Sequence, residues 1–254
     1  MHSPISTVDS LAPSEAGRRR LLSKFGEPLF LARWDRAVFI NYTVDPSILQ
    51  RQVPFELDLR DGQAFVSLVA FTLVRMRPRL GGPLAEWLFK PIATHEFLNV
   101  RTYVRHNGEP GIFFLAEWLS NRLSVLLGPR TFGLPYRFGH LHYTHRGSLE
   151  GSVAAGEGRL VYRGDVVVPS YAPCRPSSLD EFMLERYTAF TQQGKRRRLF
   201  RIWHQPWPQT PVNCSVREAS LIASTGRWWQ SAQLVSANFS PGADVWMGRP
   251  HRIQ

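Results

Sequence analysis

Three short stretches of the 254-residue chain carry side chains of types and spacings suited to chemistry. The first, THEFLNVRTYV (94–104), sorts into two faces if extended: His95, Phe97, Asn99, Arg101 and Tyr103 on one, Glu96, Leu98, Val100 and Thr102 on the other. Neither face is apolar throughout. The inner wall of a ligand-holding β-barrel has this mixture, because a few polar groups must orient the ligand among apolar walls. A strand with one face in water has it too, with Asn99 and Arg101 simply solvated. An arginine turned into a cavity is suited to clamp a carboxylate or phosphate through its guanidinium fork.

The second stretch, GHLHYTHRG (139–147), holds three imidazoles, the commonest metal-ligand side chains. On a strand His140 and His142 share a face and His145 takes the other, so a three-ligand site would need the strand to end at Tyr143 or Thr144. No HExxH motif, Cys-pair motif or EF-hand loop accompanies them, and the expectation is no metal and no cofactor, with the role of the three histidines open. The third stretch, LLGPRTFGLPY (126–136), is a stiff corner in which Gly128 and Pro129 follow an apolar run, Arg130 and Thr131 stand on the bend, and Tyr136 resumes a strand. No G-x-S-x-G elbow and no glycine-rich phosphate loop occurs anywhere in the chain.

The elements that must position these groups read as strands with few helices. Glycine and proline number 19 each, and 43% of residues are hydrophobic, with 16 Phe and 8 Trp to fill a core. RAVFINYTV (36–44) predicts a strand. Asp45 as N-cap and Pro46 at the first helical position predict a helix of about two turns before Pro54. Hairpins are expected about Asp61-Gly62 and Asn107-Gly108. LAEWLF (84–89) suggests a short helix. AEWLSNRLSVLLG (116–128) spaces Leu119, Leu123, Leu126 and Leu127 helically, with Gly128 as the stop. A strand meander follows from Tyr136. SSLDEFMLERYTAF (177–190) opens on a capping box, Ser178 with Glu181, and carries Phe182, Leu184, Tyr187 and Phe190 on one face. Strands and loops close the chain. Residues 1–28 read as a disordered or extended lead-in without a secretory apolar core, and 29–254 as one domain.

The net charge is +11, and apart from Lys24, Lys90 and Lys195 every cation is an arginine. The basic residues are scattered, with clusters only at GRRR (17–20) and GKRRR (194–198), so no basic stripe for nucleic acid emerges. The longest uncharged apolar stretch, GQAFVSLVAFTLV (62–74), is shorter than the roughly 18 residues a membrane span needs. No membrane partner is expected. Two cysteines, Cys174 and Cys214, are too few for a disulfide framework and suit a reducing cytoplasm.

The order FINYTVDPSILQRQVPFELDLRDGQAFVSLVAFTLVRMRP, HEFLNVRTYVRHNGEPGIFFLAEW, FGLPYRFG, FMLERYTAF, HQPWP and FSPGADVW resembles the YqjF-like family of uncharacterised, mainly bacterial proteins within the acetoacetate decarboxylase-like superfamily. The resemblance covers residues 29 to 247. It implies a mainly β (α+β) fold, a closed antiparallel acetoacetate decarboxylase-like β-barrel with two or three peripheral helices around a largely apolar cavity. In the decarboxylase a proline precedes two adjacent lysines, an apolar residue, Gly, an apolar residue and Pro, and one lysine forms a Schiff base with the β-keto acid. PRTFGLP places those two positions on Arg130 and Thr131, neither of which supplies a nucleophilic amine. The superfamily's arginine near the first strand is matched by Arg36.

The expectation is therefore a cavity protein for a small organic ligand that is anionic or carbonyl-bearing, without Schiff-base chemistry. Arg36, Asn99, Arg101, Arg130 and Tyr136 are its polar binding residues. Two alternatives stay open: a non-catalytic regulatory module for nucleic acid or an acidic partner, and a residual decarboxylase or aldolase using Lys90. A homo-oligomer is compatible with either.

Overall fold

The computed structural model describes residues 12–254. Helix α1 (Pro13–Leu22) lies within the segment expected to be disordered or extended, and residues 1–11 of that segment lie outside the described part. The helix forms because it has docking partners: Leu21 is buried, Ser14 Oγ donates to the His204 carbonyl, and Gly17 admits the Tyr187 ring where a Cβ would stand 2.6 Å from it. Strand β1 (Phe30–Val44) follows. Asp45 then caps α2 (Pro46–Gln50), its Oδ1 accepting from the Ser47 and Ile48 amides as expected.

Strand β2 (Glu56–Leu57) pairs with β4, whereas the Asp61-Gly62 turn is closed by a single Arg60–Gln63 bridge and leads into β3 (Ala64–Pro78). Helix α3 (Gly82–Phe89), continued by a 3-10 turn at Lys90–Ile92, precedes β4 (His95–His106), and Asn107-Gly108 turns the chain into β5 (Glu109–Leu119). Both turn residues have positive φ, as that turn requires.

Helix α4 (Arg122–Thr131) differs at both ends from the helix expected over 116–128. Residues 116–119 stay extended because Leu119 pairs with Phe97 of β4, and Asn121 Oδ1 caps the helix at the Ser124 amide, 2.9 Å away. The helix continues past Gly128, with Arg130 Nη1 and Thr131 Oγ1 donating back to the Leu126 and Leu127 carbonyls.

Strands β6 (Tyr136–Phe138), β7 (His140–Arg146), β8 (Ser148–Ala155) and β9 (Gly158–Val166) come next. Helix α5 (Leu179–Leu184) is capped by Ser178 Oγ, but it ends before Tyr187, and Phe190 lies on strand β10 (Thr188–Gln193). The chain ends with β11 (Arg196–His204), β12 (Thr210–Glu218), α6 (Ser220–Ala223), β13 (Gln233–Met247) and β14 (His251–Ile253). The protein is mainly β with six helices among the described residues, more than the two or three expected, and α2, α4 and α5 carry side-chain caps.

Pairing runs β13–β1–β3–β4–β5–β10–β11, and Ile202–His204 of β11 pair in turn with Met247–Val245 of β13. Every contact on this path is antiparallel except β5–β10, which is parallel. The meander β7–β8–β9–β12 branches from β13 and packs over the outer faces of β4 and β5. Strands β1, β3 and β4 are consequently buried on both sides. Val38, Ile40, Leu68 and Val100 face the meander, whereas Phe39, Val69, Phe71 and Phe97 face the opposite layer. Strand β4 therefore has no solvent face along most of its length, and the polar residues His95, Asn99 and Arg101 are buried rather than solvated.

His145 follows from the same layering. It is buried, with Nδ1 2.8 Å from the Arg36 carbonyl and Nε2 2.7 Å from the Tyr162 hydroxyl, while His140 and His142 are exposed. No cluster of three potential metal ligands occurs among the described residues. No described helix is long and apolar enough to cross a membrane.

Candidate functional site

A cavity of about 590 Å³ lies between β1, β3, β4, β5, β11 and α4. Its walls are largely aromatic and aliphatic, Trp34, Phe71, Phe97, Phe114 and Phe200 among them, and Phe71 stacks on Phe97 with the ring planes 7° apart. Into this apolar space four polar side chains project from neighbouring strands: His95 and Asn99 of β4, Glu117 of β5 and Tyr136 of β6.

Register creates the cluster. Asn99 pairs with Glu117, and Glu117 pairs with Tyr136, so the three stand side by side across three strands. His95, four residues before Asn99, shares its face. A bulge in β5 sets this alignment: Ala116 opposes Val100 and Phe114 opposes Arg101, leaving Leu115 unmatched. Without the extra residue Phe114 and Glu117, three apart, would fall on opposite faces.

Of the eight buried side-chain polar atoms without a hydrogen-bond partner among the described residues, five line this cavity: both ring nitrogens of His95, Asn99 Oδ1, Glu117 Oε2 and Ser124 Oγ. Folded proteins rarely leave such atoms orphaned, since each costs about 1–3 kcal/mol. Their concentration on one wall marks a place built for a hydrogen-bonding guest.

Among the described residues, no arginine or lysine lines the cavity. Burial pushes the Glu117 carboxyl well above the usual carboxylate range, and burial together with Glu117 raises the Tyr136 phenol. Burial also pushes His95 down to about 4. All three shifts favour the uncharged forms, a protonated Glu117 carboxyl, a Tyr136 phenol and a neutral His95 imidazole. The wall offers donors and acceptors but no net charge.

The residues expected to bind ligand divide between this site and elsewhere. Asn99 and Tyr136 line the cavity. Arg36 sits at a bulge in β1 with φ 51° and pairs with Asp35 at 3.2 Å. Arg101 is buried on the same face as Asn99 but reaches the other way, donating to the Met183 carbonyl at 3.0 Å with its guanidinium 5.7 Å from the Phe39 ring centre. Arg130 is exposed at the end of α4, and Thr131 beside it lines the cavity edge. Lys24, Lys90 and Lys195 are all exposed.

Glu117 is the residue that sequence reasoning passed over, and His95 shares the expected face of Asn99 without being counted among the expected binding residues. Glu117 was hidden because AEWLSNRL reads as a helix. Its signal was a lone carboxylate inside the apolar run IFFLAEWL. The spacing of proline, two residues, an apolar residue and glycine also recurs at Pro135-Tyr136-Arg137-Phe138-Gly139, and there the first of the two positions faces the cavity while Arg137 is exposed against the Trp118 ring. Gly128 belongs to the same construction. A Cβ there would stand 2.1 Å from the Tyr136 ring, so the glycine lets α4 lie directly on the tyrosine.

Comparison with known proteins agrees with this architecture. The profile of the uncharacterised conserved protein family DUF2071 matches residues 31–244. The chain belongs to the DUF2071 family. It is 32% identical over 190 residues to the uncharacterised protein YqjF of Bacillus subtilis (strain 168), covering 68% of this chain and 72% of that protein. Similar solved structures include an acetoacetate decarboxylase-like enzyme from Sphingomonas wittichii RW1, with a TM-score of 0.64 at 14% identity, covering 90% of this chain and 94% of that one. The acetoacetate decarboxylase of Legionella pneumophila gives a TM-score of 0.62 at 14% identity, covering 88% and 87%. The enduracididine biosynthesis enzyme MppR complexed with pyruvate gives 0.62 at 14% identity, covering 91% and 93%. At these identities the likeness establishes the DUF2071 chain's fold and leaves its chemistry to its own residues.

Proposed function

We propose that this DUF2071 protein is a closed β-barrel that binds a largely apolar organic molecule through an uncharged carbonyl, without Schiff-base chemistry. The supporting observation is the row Asn99–Glu117–Tyr136 with His95 on a mostly apolar wall, in which His95, Asn99 and Glu117 carry orphaned hydrogen-bonding atoms. A protonated Glu117 and the Tyr136 phenol donate to the carbonyl oxygen, while Asn99 Oδ1 and His95 accept from any neighbouring hydroxyl or amide. Of the two ligand types expected from sequence, the carbonyl-bearing one suits this wall, since a carboxylate would be desolvated there with no cation to pair it. The barrel reading rests on the return of β11 to β13.

Of the two stretches with that proline spacing, PRTFG and PYRFG, the second turns the first of its two positions into the cavity, so Tyr136 is the side chain this reading sets against a bound carbonyl, while Arg130 is exposed. The exposed position of Lys90 disfavours its use as a substitute amine. Infrared spectroscopy with a ¹³C-carbonyl medium-chain ketone tests the proposal: saturable binding with a red-shifted carbonyl band is expected, with the shift reduced in Tyr136→Phe and Glu117→Leu. Absence of saturable binding, or a shift indifferent to both substitutions, overturns it.

A further inference from the structure

Helix α3 buries none of its residues. Leu84, Trp87 and Leu88, at i, i+3 and i+4, form a stripe exposed by 60–68% each, and Leu80 just before the helix is 64% exposed. Helix α4 repeats the pattern: Leu123, Leu126 and Leu127 are at the same spacing and also exposed. Helix α4 packs on the turn at 90–92 that directly continues α3, and Asn121 Nδ2 donates to the Pro91 carbonyl at 2.7 Å, so the two helices are neighbours. Leu127 and Thr131 are at once exposed and cavity-lining, so the cavity opens among these residues.

Charge narrows the choice of occupant. Segments 75–93 and 120–138 carry Arg75, Arg77, Arg79, Lys90, Arg122, Arg130 and Arg137, and Glu86 is their only acidic residue, paired with Arg77 at 3.0 Å. A leucine and tryptophan patch rimmed by cations is the composition that enters the headgroup region of an anionic bilayer. A second copy of the chain fits poorly, because a two-fold contact through this face would set one cationic rim against the other.

We propose that the stripes of α3 and α4 dock the protein peripherally on anionic lipid, with the cavity mouth opened toward the membrane. The expectation of no membrane partner concerned spanning segments, and peripheral docking needs none. An apolar ligand then passes from bilayer to cavity without crossing water; this purpose rests on the ligand reading above, whereas the docking itself does not.

Vesicle co-sedimentation tests it. The wild type is expected to bind vesicles of phosphatidylcholine with about a quarter phosphatidylserine, weakly or not at all to phosphatidylcholine alone, and less at high salt. Leu84→Ser/Trp87→Ser/Leu88→Ser is expected to abolish binding, and Arg79→Gln/Lys90→Gln to weaken it by roughly tenfold, with unchanged melting temperatures because all five side chains are exposed. Brominated acyl chains should quench fluorescence in the wild type more than in Trp87→Phe. Failure to bind, binding indifferent to these substitutions, or a wild-type dimer that the serine variant dissociates overturns the proposal. Glu117→Leu separates the two readings: it reduces the carbonyl shift of bound ketone and leaves vesicle binding intact.

Discussion

At the scale of single residues, Tyr136 and Glu117 define what the cavity can do. A tyrosine donates a hydrogen bond but cannot condense with a ketone, so introducing an amine at that position would supply a nucleophile to the cavity. Tyr136→Lys is expected to give a borohydride-trappable imine with a β-keto acid, the lysine nitrogen bonding to the carbonyl carbon and the oxygen leaving as water. Burial beside apolar walls keeps a fraction of that amine unprotonated. Mass mapping should place the adduct on residue 136, and Arg130→Lys should yield none because position 130 is exposed. Gly128 makes a structural counterpart. Alanine improves helix propensity by about 1 kcal/mol, yet its Cβ would meet the Tyr136 ring. Overpacking of this kind costs about 1–3 kcal/mol. Gly128→Ala is therefore expected to lower stability in urea denaturation, unless Tyr136 is also replaced by Leu.

At the scale of elements, α4 shows how a local pattern and its tertiary use part company. The spacing of Leu123, Leu126 and Leu127 correctly signals a helix, but that stripe points outward, and its start is set by Asn121 rather than by the leucine period. Asn121 also donates through Nδ2 to the Pro91 carbonyl at 2.7 Å, tying α4 to the turn after α3. Asn121→Ala is expected to cost about 1 kcal/mol and to raise hydrogen exchange in the first turn of α4. The β5 bulge is the second such device. Leu115 carries no chemistry, but its insertion brings Phe114 and Glu117 onto the same face.

At the scale of the whole molecule, the burial of titratable groups shapes stability against pH. His95, His145 and His204 are each held near 4 by burial, below the ordinary 6.5. Their folded forms prefer the neutral ring, so the stability they contribute is present above pH 6.5 and lost as pH falls toward 4. Each adds a slope of up to about 1.4 kcal/mol per pH unit in that window. Glu117 has the opposite sign: its raised pKa favours the folded state in acid, and that stability is lost as pH rises through the folded value. Urea midpoints measured across pH should fall steeply below 6.5, less steeply in His204→Gln, and Glu117→Gln should gain stability in alkali relative to the wild type.

The sequence by itself determined the β-rich class, the caps at Asp45 and Ser178, the tight turn at Asn107-Gly108, and the absence of a lysine at either candidate nucleophile position. It also put Asn99 and His95 on a common face. These are local properties, set by backbone sterics, side chain to backbone hydrogen bonds and period-two alternation. Only the tertiary structure decided which face of β4 meets a cavity, that Glu117 lies beside Asn99 and Tyr136, that Arg101 and Arg130 turn away from that cavity, and that the leucines of α3 and α4 remain uncovered. These depend on register, on one bulged residue and on the packing of segments far apart in the chain. A strand buried on both faces leaves no periodic trace of which side encloses the site, and a helical stripe has the same spacing whether it meets a core or a membrane.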